Sequence, residues 1–384
     1  MTVQNMIEKM PQPAELLACW MTPQGRGAVA TIGVQGNISL IDRYFRPVNK
    51  RLALSQELNR VCFGYWGVDT QEEIVVVRVD EDAMELHCHG GIAAAERILR
   101  DLNECGGTVV DQETWSRMTL SGIEAECQVV LTRTTTRRTA HHALRQTTLF
   151  PQAVRSLVSL APLKALAVID QMLEDGKTAR HLLEPWQIVV CGRPNVGKSS
   201  LINALMGFER TVVFDQPGTT RDVVTAETAF QGWPVVLSDT AGLRDTDSSL
   251  EAAGIERAKA RLQQADFILI VLDAHAGIQE DDQELMEAYP GALAVWNKCD
   301  LAPDQTVPEG VLPVSALTGS GLDDLVEHIF RRLVPVDLPA DRGFPVHPGQ
   351  ISQLLTLRDL LVRQRYDAFQ QHVLNWCQNP GDKG

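Results

Sequence analysis

Apolar and polar residues alternate in short runs through the first part of the chain. This alternation predicts four strands, at 27–36, 60–66, 73–79 and 84–88. Apolar residues then recur at helical spacing over 92–105, where Gly106 and Gly107 end the pattern, which predicts one amphipathic helix. Strands mixed with helices predict an α+β domain over residues 1–118.

The pattern becomes helical after this domain. Leucine and isoleucine recur near helical spacing between residues 119 and 184, which predicts a short helical domain. Breaks are expected at Pro151, Pro162 and Gly176, because proline lacks a backbone donor and glycine has a low helix propensity.

Strands alternate with helices over residues 185–335. This order predicts a mostly parallel sheet with flanking helices. The last of these helices has one apolar stripe, formed by Leu322, Leu325, Val326, Ile329, Phe330 and Leu333. A proline-rich linker and one more helix, over 351–376, belong to a second helical part at 336–384. The fold class predicted for the whole is a multidomain α/β chain.

Composition points to an ordinary globular protein. Of the 384 residues, 44% are apolar and 22% charged, and the longest apolar runs are strand-length, so no membrane segment is expected. No secretory signal is recognisable in the first twenty residues. The eight cysteines contain no C-x-x-C pair, which predicts free thiols in a reducing cytoplasm.

The formal net charge of −14 opposes non-specific attraction to nucleic acid or anionic membranes. One stretch has the opposite character. It contains Arg133, Arg137, Arg138, His141, His142 and Arg145. Two interpretations stay open for it: a solvated helix face or loop, and a contact with a phosphate backbone.

A phosphate-binding motif lies near the start of the parallel-sheet region. Residues 192–199 have the sequence G-R-P-N-V-G-K-S, between an apolar strand-like run and a helix. In such a loop, backbone N–H groups surround a polyphosphate, Lys198 reaches the β- and γ-phosphates, and the Ser199 hydroxyl can bind Mg²⁺. The other nucleotide contacts expected here are Gly192, Asn195, Val196, Gly197 and Ser200.

Two further motifs supply groups that sense the γ-phosphate. The segment 215–222 contains Thr219 and Thr220, of which Thr220 can complete the Mg²⁺ shell. The sequence D-T-A-G at 239–242 follows an apolar strand. Asp239 can therefore hold Mg²⁺ through water, and the Gly242 N–H can bond the γ-phosphate.

A fourth motif predicts selection of guanine. N-K-C-D at 297–300 ends a strand, and the Asp300 carboxylate can accept hydrogen bonds from guanine N1–H and the 2-amino group. Adenine lacks these donors and would leave a buried carboxylate unpaired. The other residues of this motif and its neighbouring loop are Asn297, Lys298, Ser315 and Ala316. Four motifs in this order predict a domain that binds GTP and GDP.

The group that orients the attacking water is not evident from these motifs. Leu243 follows D-T-A-G where a Ras-like protein has glutamine, and leucine cannot orient water. Asn195, the G-T-T-R-D segment at 218–222 and the sequence L-E-A-A-G-I-E-R at 250–257 together resemble the TrmE (MnmE) family of tRNA-modification GTPases.

The resemblance implies a catalytic site that depends on a cation. In this family a loop asparagine, here Asn195, helps to hold a K⁺ ion in place of an arginine finger, and two G domains pair across their switches. A water-orienting glutamate maps onto Glu251. On spacing alone, Glu251 could be a helix-start carboxylate and Asn195 a loop cap. The expected catalytic residues are Glu251, Asn195, Lys198, Thr220 and Gly242.

The resemblance extends to the N-terminal domain, through T-P-Q-G-R-G-A-V at 22–29 and M-E-L-H-C-H-G-G at 84–91. It implies that this domain forms a homodimer and binds a one-carbon tetrahydrofolate. It also implies a helical domain built from both sides of the GTPase domain, a flavoprotein partner and the wobble uridine of tRNA as target. His87 and His89 alternatively suggest a metal, but no third ligand lies at a suitable spacing.

The chain departs from the family pattern outside the GTPase domain. The segment 112–122 differs from the family's P-G-E-F-x-x-R-A-F-x-N-G-K stretch, and the C-terminal C-x-G-K ending is absent. Cys377 is therefore expected to be a buried structural thiol. Two functions stay open: a GTPase in tRNA wobble-uridine modification, and a regulatory or assembly switch that has lost the modification chemistry.

Overall fold

The computed structural model describes residues 16–23, 27–67, 71–208, 225–239 and 261–378. Two compact units divide the chain. The first contains residues 1–129 together with 376–384, and the second contains residues 130–375.

The first unit is built on a seven-stranded sheet. Its strands are β1 (Leu17–Trp20), β2 (Val29–Gln35), β3 (Phe45–Pro47), β4 (Val61–Trp66), β5 (Glu72–Arg78), β6 (Ala83–His89) and β7 (Thr108–Val110). Their order is β3-β4-β5-β6-β2-β1-β7, antiparallel except for the β1–β7 pair. The four predicted strands are confirmed as β2, β4, β5 and β6, while the shorter β1, β3 and β7 were not expected.

One face of this sheet is covered by α1 (Ile92–Glu104), which is the predicted amphipathic helix. It buries Ala95, Ile98 and Leu102 in the main core of the unit. The predicted stop is also confirmed: the N–H of Gly107 donates to the Leu102 carbonyl at 2.9 Å, and Gly106 has a φ of +98°. This closure satisfies carbonyls at the helix end that have no partner within the helix.

Two further helices follow, α2 (Gln112–Thr119) and α3 (Gly122–Arg133). The α2 helix reaches the sheet with Trp115, whose ring would lie 3.0 Å from a Cβ at Gly33. The Gln112 side chain donates to the carbonyls of Trp20 and Met21, both at 3.1 Å. The segment that departs from the family sequence is thus a packed helix.

The second unit combines helices with a second sheet. The α-helices after residue 136 whose two ends both lie in the described ranges are α4 (Arg137–Ser156), α5 (Pro162–Ala179), α6 (Lys198–Phe208), α7 (Glu280–Ala288), α8 (Leu322–Leu333), α9 (Pro348–Val362) and α10 (Tyr366–Cys377). The strands are β8 (Trp186–Cys191), β9 (Thr225–Phe230), β10 (Trp233–Asp239), β11 (Phe267–Asp273), β12 (Leu293–Asn297) and β13 (Leu312–Pro313).

The sheet of this unit has the order β13-β12-β11-β8-β10-β9. All its pairs are parallel except β9–β10. Every residue of β10 is buried, as expected for a strand covered on both faces. The predicted parallel sheet is confirmed, and so is its last helix, α8, which buries five of the six residues of the predicted stripe.

Two of the expected helix breaks are wrong. Pro151 lies inside α4, between the fully buried Phe150 and Val154, so packing of the inner face outweighs the hydrogen bond that proline cannot make. Gly176 lies inside α5, where a Cβ would come within 2.9 Å of the Pro345 ring. Glycine is used there for close packing and not to end the helix.

The structure also defines where other helices begin and end, in more detail than the sequence predicted. Pro162 is the first residue of α5, a position at which its missing N–H carries no penalty. The predicted helix over 351–376 is two helices, α9 and α10, separated by a turn in which Gln364 has a φ of +57°. Cys377 ends α10 and is half-buried, so the expectation of a buried thiol is wrong.

Helices that precede and follow the second sheet in the chain pack on each other, since α5 lies against α9. Arg342 forms a forked pair with Asp175 through two contacts of 2.8 Å, and Arg358 contacts Asp170 at 2.6 Å. None of the eight cysteines forms a disulfide. Among the described helices, none combines the length and apolar character that crossing a membrane requires.

Gly90 and Gly91 provide a test of packing in the first unit. A Cβ at Gly90 would lie 2.0 Å from the Gly27 carbonyl oxygen, whereas a Cβ at Gly91 has nothing within 4 Å. We expect Gly90→Ser to lower the free energy of unfolding by roughly 1–3 kcal/mol, because the backbone must shift. Gly91→Ser, at the N-cap of α1, should be neutral or slightly stabilising.

The measurement is the urea midpoint of unfolding, followed by tryptophan fluorescence, for both variants and the wild type. Equal midpoints for Gly90→Ser and Gly91→Ser would contradict this account of the glycine pair.

Candidate GTP site

The structure describes residues from three of the four nucleotide motifs, and these residues meet at one edge of the second sheet. The parallel strands β8, β10, β11 and β12 all end at this edge, and a motif follows or ends three of them. This is the edge at which open α/β sheets bind ligands. Lys198 and Ser199 are therefore positioned by the first turn of a helix, and Asp239 and Asn297 by the end of a strand.

The loop between β8 and α6 requires glycine at its two ends. Gly192 has a φ of +144°, and a Cβ there would lie 2.4 Å from the Val271 carbonyl oxygen. Gly197 has a φ of +94°, and a Cβ there would lie 2.4 Å from Nδ2 of Asn297. Both positions combine a left-handed backbone with close approach, so only glycine fits.

Lys198, the first residue of α6, is held by this loop. Its Nζ donates to the carbonyls of Gly192 at 3.0 Å and Arg193 at 2.8 Å, and only 6% of the residue is exposed. The ammonium group is thus fixed at the N-terminus of α6, where backbone N–H groups also favour anions. The arrangement is suited to the terminal phosphates of a nucleotide.

A second pair of groups has the chemistry of a magnesium site. The Ser199 hydroxyl donates to Oδ2 of Asp239 at 2.7 Å, and Asp239 is buried at the end of β10. Mg²⁺ is commonly bound by one or two protein oxygens together with water and substrate phosphates. The side-chain oxygens of Ser199 and Asp239 fit that requirement as metal ligands.

Asn297 connects the phosphate loop to the loop after β13. Its Nδ2 donates to the Val196 carbonyl at 2.9 Å, and its Oδ1 accepts from the Ala316 N–H at 3.1 Å. The residue is only 1% exposed. Both ends of one buried amide are therefore used to hold two loops in a fixed relation.

Lys298 makes a second connection to the phosphate loop. It has a left-handed backbone, and its Nζ donates to the Asn195 carbonyl at 2.7 Å and to Oδ2 of Asp273 at 2.6 Å. Burial alone would raise the pKa of Asp273, but the hydrogen bond from Lys298 leads the opposing effects and leaves that pKa below its ordinary value. Asp273 was not predicted from the sequence as a site residue, although its position at the end of β11 could have indicated this role.

Arg193 is the other residue that the sequence did not single out. Its Nε donates to Oδ2 of Asp282 at 2.9 Å, and the Asp282 side chain is fully buried. The same oxygen accepts from the N–H of Gln279 at the start of α7. The hydrogen bond with Asp282 raises the pKa of Arg193, and it fixes the outer part of the phosphate loop against α7.

The residues expected beside the base lie in adjoining loops. Asp300 is exposed in the short 3₁₀ turn Cys299–Leu301, and the Cys299 N–H donates to the Val314 carbonyl at 3.2 Å. Ser315 is buried, and its Oγ accepts from the Thr318 N–H at 3.1 Å. The Asp300 carboxylate is thus accessible beside a loop that is tightly hydrogen-bonded.

Of the remaining predicted site residues, some lie within the described part of the chain and some lie outside it. Ser200 is exposed in the first turn of α6. Asn195 is exposed with a φ of +63°, and its side-chain amide makes no hydrogen bond within the described ranges. Four expected site residues lie outside the described part of the chain: Thr219, Thr220, Gly242 and Glu251.

The histidines of β6 have other partners. His87 contacts the Thr31 hydroxyl through Nδ1 at 3.0 Å, and Glu72 hydrogen-bonds His89 and raises its pKa. Among the described residues, no three His, Cys, Asp or Glu side chains are grouped closely enough to hold a metal ion. The alternative of a metal at His87 and His89 therefore gains no support.

The Asn297 link can be tested directly. We expect Asn297→Ala to weaken GDP binding roughly tenfold to hundredfold, because it leaves the buried Val196 carbonyl and the partly buried Ala316 N–H without their partner. Affinity is measured with a fluorescent GDP analogue. Asn203→Ala, at an exposed position of α6, is the matched control and should bind normally. An Asn297→Ala variant with wild-type affinity would refute the role assigned to this amide.

Comparison with known proteins identifies the family. The family model described as a 50S ribosome-binding GTPase matches residues 187–298. Three proteins named tRNA modification GTPase MnmE align over most of the chain. The relative from Moorella thermoacetica is 30% identical over 82% of this chain and 81% of its own length. The relative from Magnetococcus marinus is 31% identical over 89% and 85%, and that from Bacillus subtilis is 31% identical over 82% of each.

These relatives align well beyond the GTPase domain, since that domain alone could not account for four fifths of both chains. The G-domain topology and the groups at its sheet edge agree with the same assignment. The chain is a GTP-hydrolysing enzyme and belongs to the MnmE family of tRNA modification GTPases.

Proposed function

We propose that this chain hydrolyses GTP in a K⁺-stimulated cycle, through pairing of two G domains, and that the cycle serves modification of the wobble uridine of tRNA. The observation that carries the proposal is the joint position of Lys198, the Ser199–Asp239 pair and the Asn297 link at one sheet edge. The family to which the chain belongs supports the tRNA role.

The chain's own residues have distinct tasks in this cycle. Lys198 and the N–H groups at the start of α6 bind the β- and γ-phosphates and stabilise negative charge on them. Ser199 and Asp239 would hold Mg²⁺, which neutralises the phosphate oxygens when bound. Asp300 accepts from the guanine edge, and Asn297 keeps the base side in register with the phosphate loop.

K⁺ would be held by Asn195, whose exposed side chain leaves its amide oxygen available. An oxygen ligand at this point of the loop places positive charge beside the β/γ bridge, where an arginine finger acts in other GTPases. Glu251 would orient the attacking water, and Thr219, Thr220 and Gly242 would complete the γ-phosphate contacts. These assignments rest on the family sequence pattern.

The domain division that accompanies this function has four parts. We assign residues 1–118 to a dimerising domain with a tetrahydrofolate site, and 185–335 to the GTPase domain. Residues 119–184 and 336–384 form the two helical parts, which the packing of α5 on α9 supports. A flavoprotein would be the partner in uridine chemistry.

The cation dependence gives the first test. GTP hydrolysis should be at least about tenfold faster in K⁺ than in Na⁺, because a cation beside the β/γ bridge stabilises the transition state. Glu251→Ala should lose roughly hundredfold or more of the K⁺-stimulated rate. Glu284→Ala, at an exposed position of α7, is the control and should keep the wild-type rate. Equal rates in K⁺ and Na⁺ would exclude the proposed role of K⁺.

The tRNA role is tested by mass spectrometry of nucleosides from the tRNA of a deletion strain. Wobble uridines should lack their modification, and a plasmid with the wild-type chain should restore it. Lys198→Ala should fail to restore it, since the nucleotide site is lost, whereas Asn203→Ala should succeed. Fully modified uridines in the deletion strain would instead favour a regulatory or assembly switch.

A further inference from the structure

Charge is distributed unevenly along this acidic chain. Residues 127–169 contain no aspartate or glutamate, so all 49 acidic residues lie elsewhere. The same stretch carries five arginines, one lysine and two histidines. Most of these cationic residues lie on or beside α4, which itself has four arginines and no acid.

The α4 helix has two different faces. Its inner face buries Ala143, Phe150 and Val154 among other residues. The outer face carries a row of exposed polar side chains that we call the basic stripe. It consists of Arg137, His141, Arg145, Thr148, Gln152 and Arg155. At 1.5 Å per residue, the stripe is about 27 Å long.

Two cations of this stripe, Arg137 and Arg145, are not explained by ion pairs that stabilise the fold. Within the described ranges, neither Arg137 nor Arg145 forms an ion pair, whereas Arg138 on the inner side contacts Asp337. Arg137 and Arg138 also stand in the first turn of α4, where the helix dipole disfavours positive charge. The stripe therefore keeps positive charge available to solvent in a chain of net charge −14.

The other side of the same helix holds the turn between β9 and β10. The Thr136 hydroxyl, at the N-cap of α4, donates to the Gly232 carbonyl at 2.6 Å, and Arg138 donates to the Gln231 carbonyl at 3.0 Å. β10 begins next to this turn and ends at Asp239, which contacts Ser199 in the GTP site. One helix thus connects the basic stripe to a strand that ends in the nucleotide site.

We propose that the basic stripe is the surface on which the phosphate backbone of tRNA binds, an inference that rests on the proposed function. Arginine contacts to phosphates supply most of the affinity for nucleic acid, and hydroxyl and amide side chains such as Thr148 and Gln152 add contacts to backbone oxygens. A membrane surface is disfavoured, because an interfacial helix needs an apolar face free for lipid. In α4 that face is buried, and Leu144 is the one large apolar side chain of the helix that is exposed.

The test uses the full chain and labelled tRNA, with fluorescence anisotropy measured over a series of KCl concentrations. The variant is Arg137→Gln/Arg145→Gln. We expect its affinity to fall at least about tenfold, and the slope of log K against log salt to become less steep by about one to two, since two phosphate contacts are lost. Thermal unfolding of the same preparations reports whether the fold is intact.

Two comparisons make the result specific. Arg60→Gln/Arg363→Gln removes the same charge from exposed positions outside the stripe, whose side chains are 77% and 67% exposed, and it should bind tRNA like the wild type. Arg137→Lys/Arg145→Lys keeps the charge and should retain most of the affinity, because phosphate contacts are largely electrostatic.

Each other outcome overturns the inference in a distinguishable way. If the glutamine variant binds tRNA like the wild type, the stripe is not the surface, while the tRNA role stands. If the wild type binds no tRNA, both the stripe and the proposed tRNA role fail, while the proposed GTP hydrolysis stands. If phosphatidylglycerol vesicles are bound through the stripe and tRNA is not, the surface serves a membrane and the inference is wrong.

Discussion

The GTP site depends on one buried side-chain amide. Asn297 donates to the phosphate loop at Val196 and accepts from Ala316 in the loop beside the base. A buried amide has no water to replace a lost partner, so breaking either bond costs far more than making it gains. The two halves of the nucleotide site are therefore held together by a constraint with little tolerance. The glycine at 197 is part of the same constraint, because the amide occupies the space of its missing side chain.

Three cationic side chains around the phosphate loop are also held in place, by contacts with carbonyl and carboxylate oxygens. Lys198 is held by carbonyls of the loop itself, Lys298 by Asp273, and Arg193 by Asp282. Each contact fixes a flexible side chain before a nucleotide arrives, so less conformational entropy is lost on binding. The loop is thus shaped by ion pairs and carbonyls as well as by its glycines. A charge arrangement prepared in this way suits stabilisation of a transition state.

Sequence patterns predicted what local chemistry determines. The stop of α1 at Gly106, the stripe of α8 and the strand ends that carry Asp239 and Asn297 all follow from residue type and spacing. The wrong breaks at Pro151 and Gly176 have a different origin, since distant packing partners outweigh local propensity there. Asp273 and Arg193 were missed for a related reason, since their partners are distant in the chain: Lys298 lies 25 residues from Asp273, and Asp282 lies 89 residues from Arg193.

The forked contact between Arg342 and Asp175 has a consequence for synthesis of the protein. The two residues are 167 positions apart, so α5 leaves the ribosome long before Arg342 and the α9 helix that follows it have been made. At 5–20 residues per second, the delay is roughly ten to thirty seconds, ample time for the intervening sheet to fold first. During this interval the face of α5 that will contact α9 has no native partner from the later chain. In a nascent chain of this protein, the contact face of α5 therefore waits for its partner until the second sheet has been synthesised.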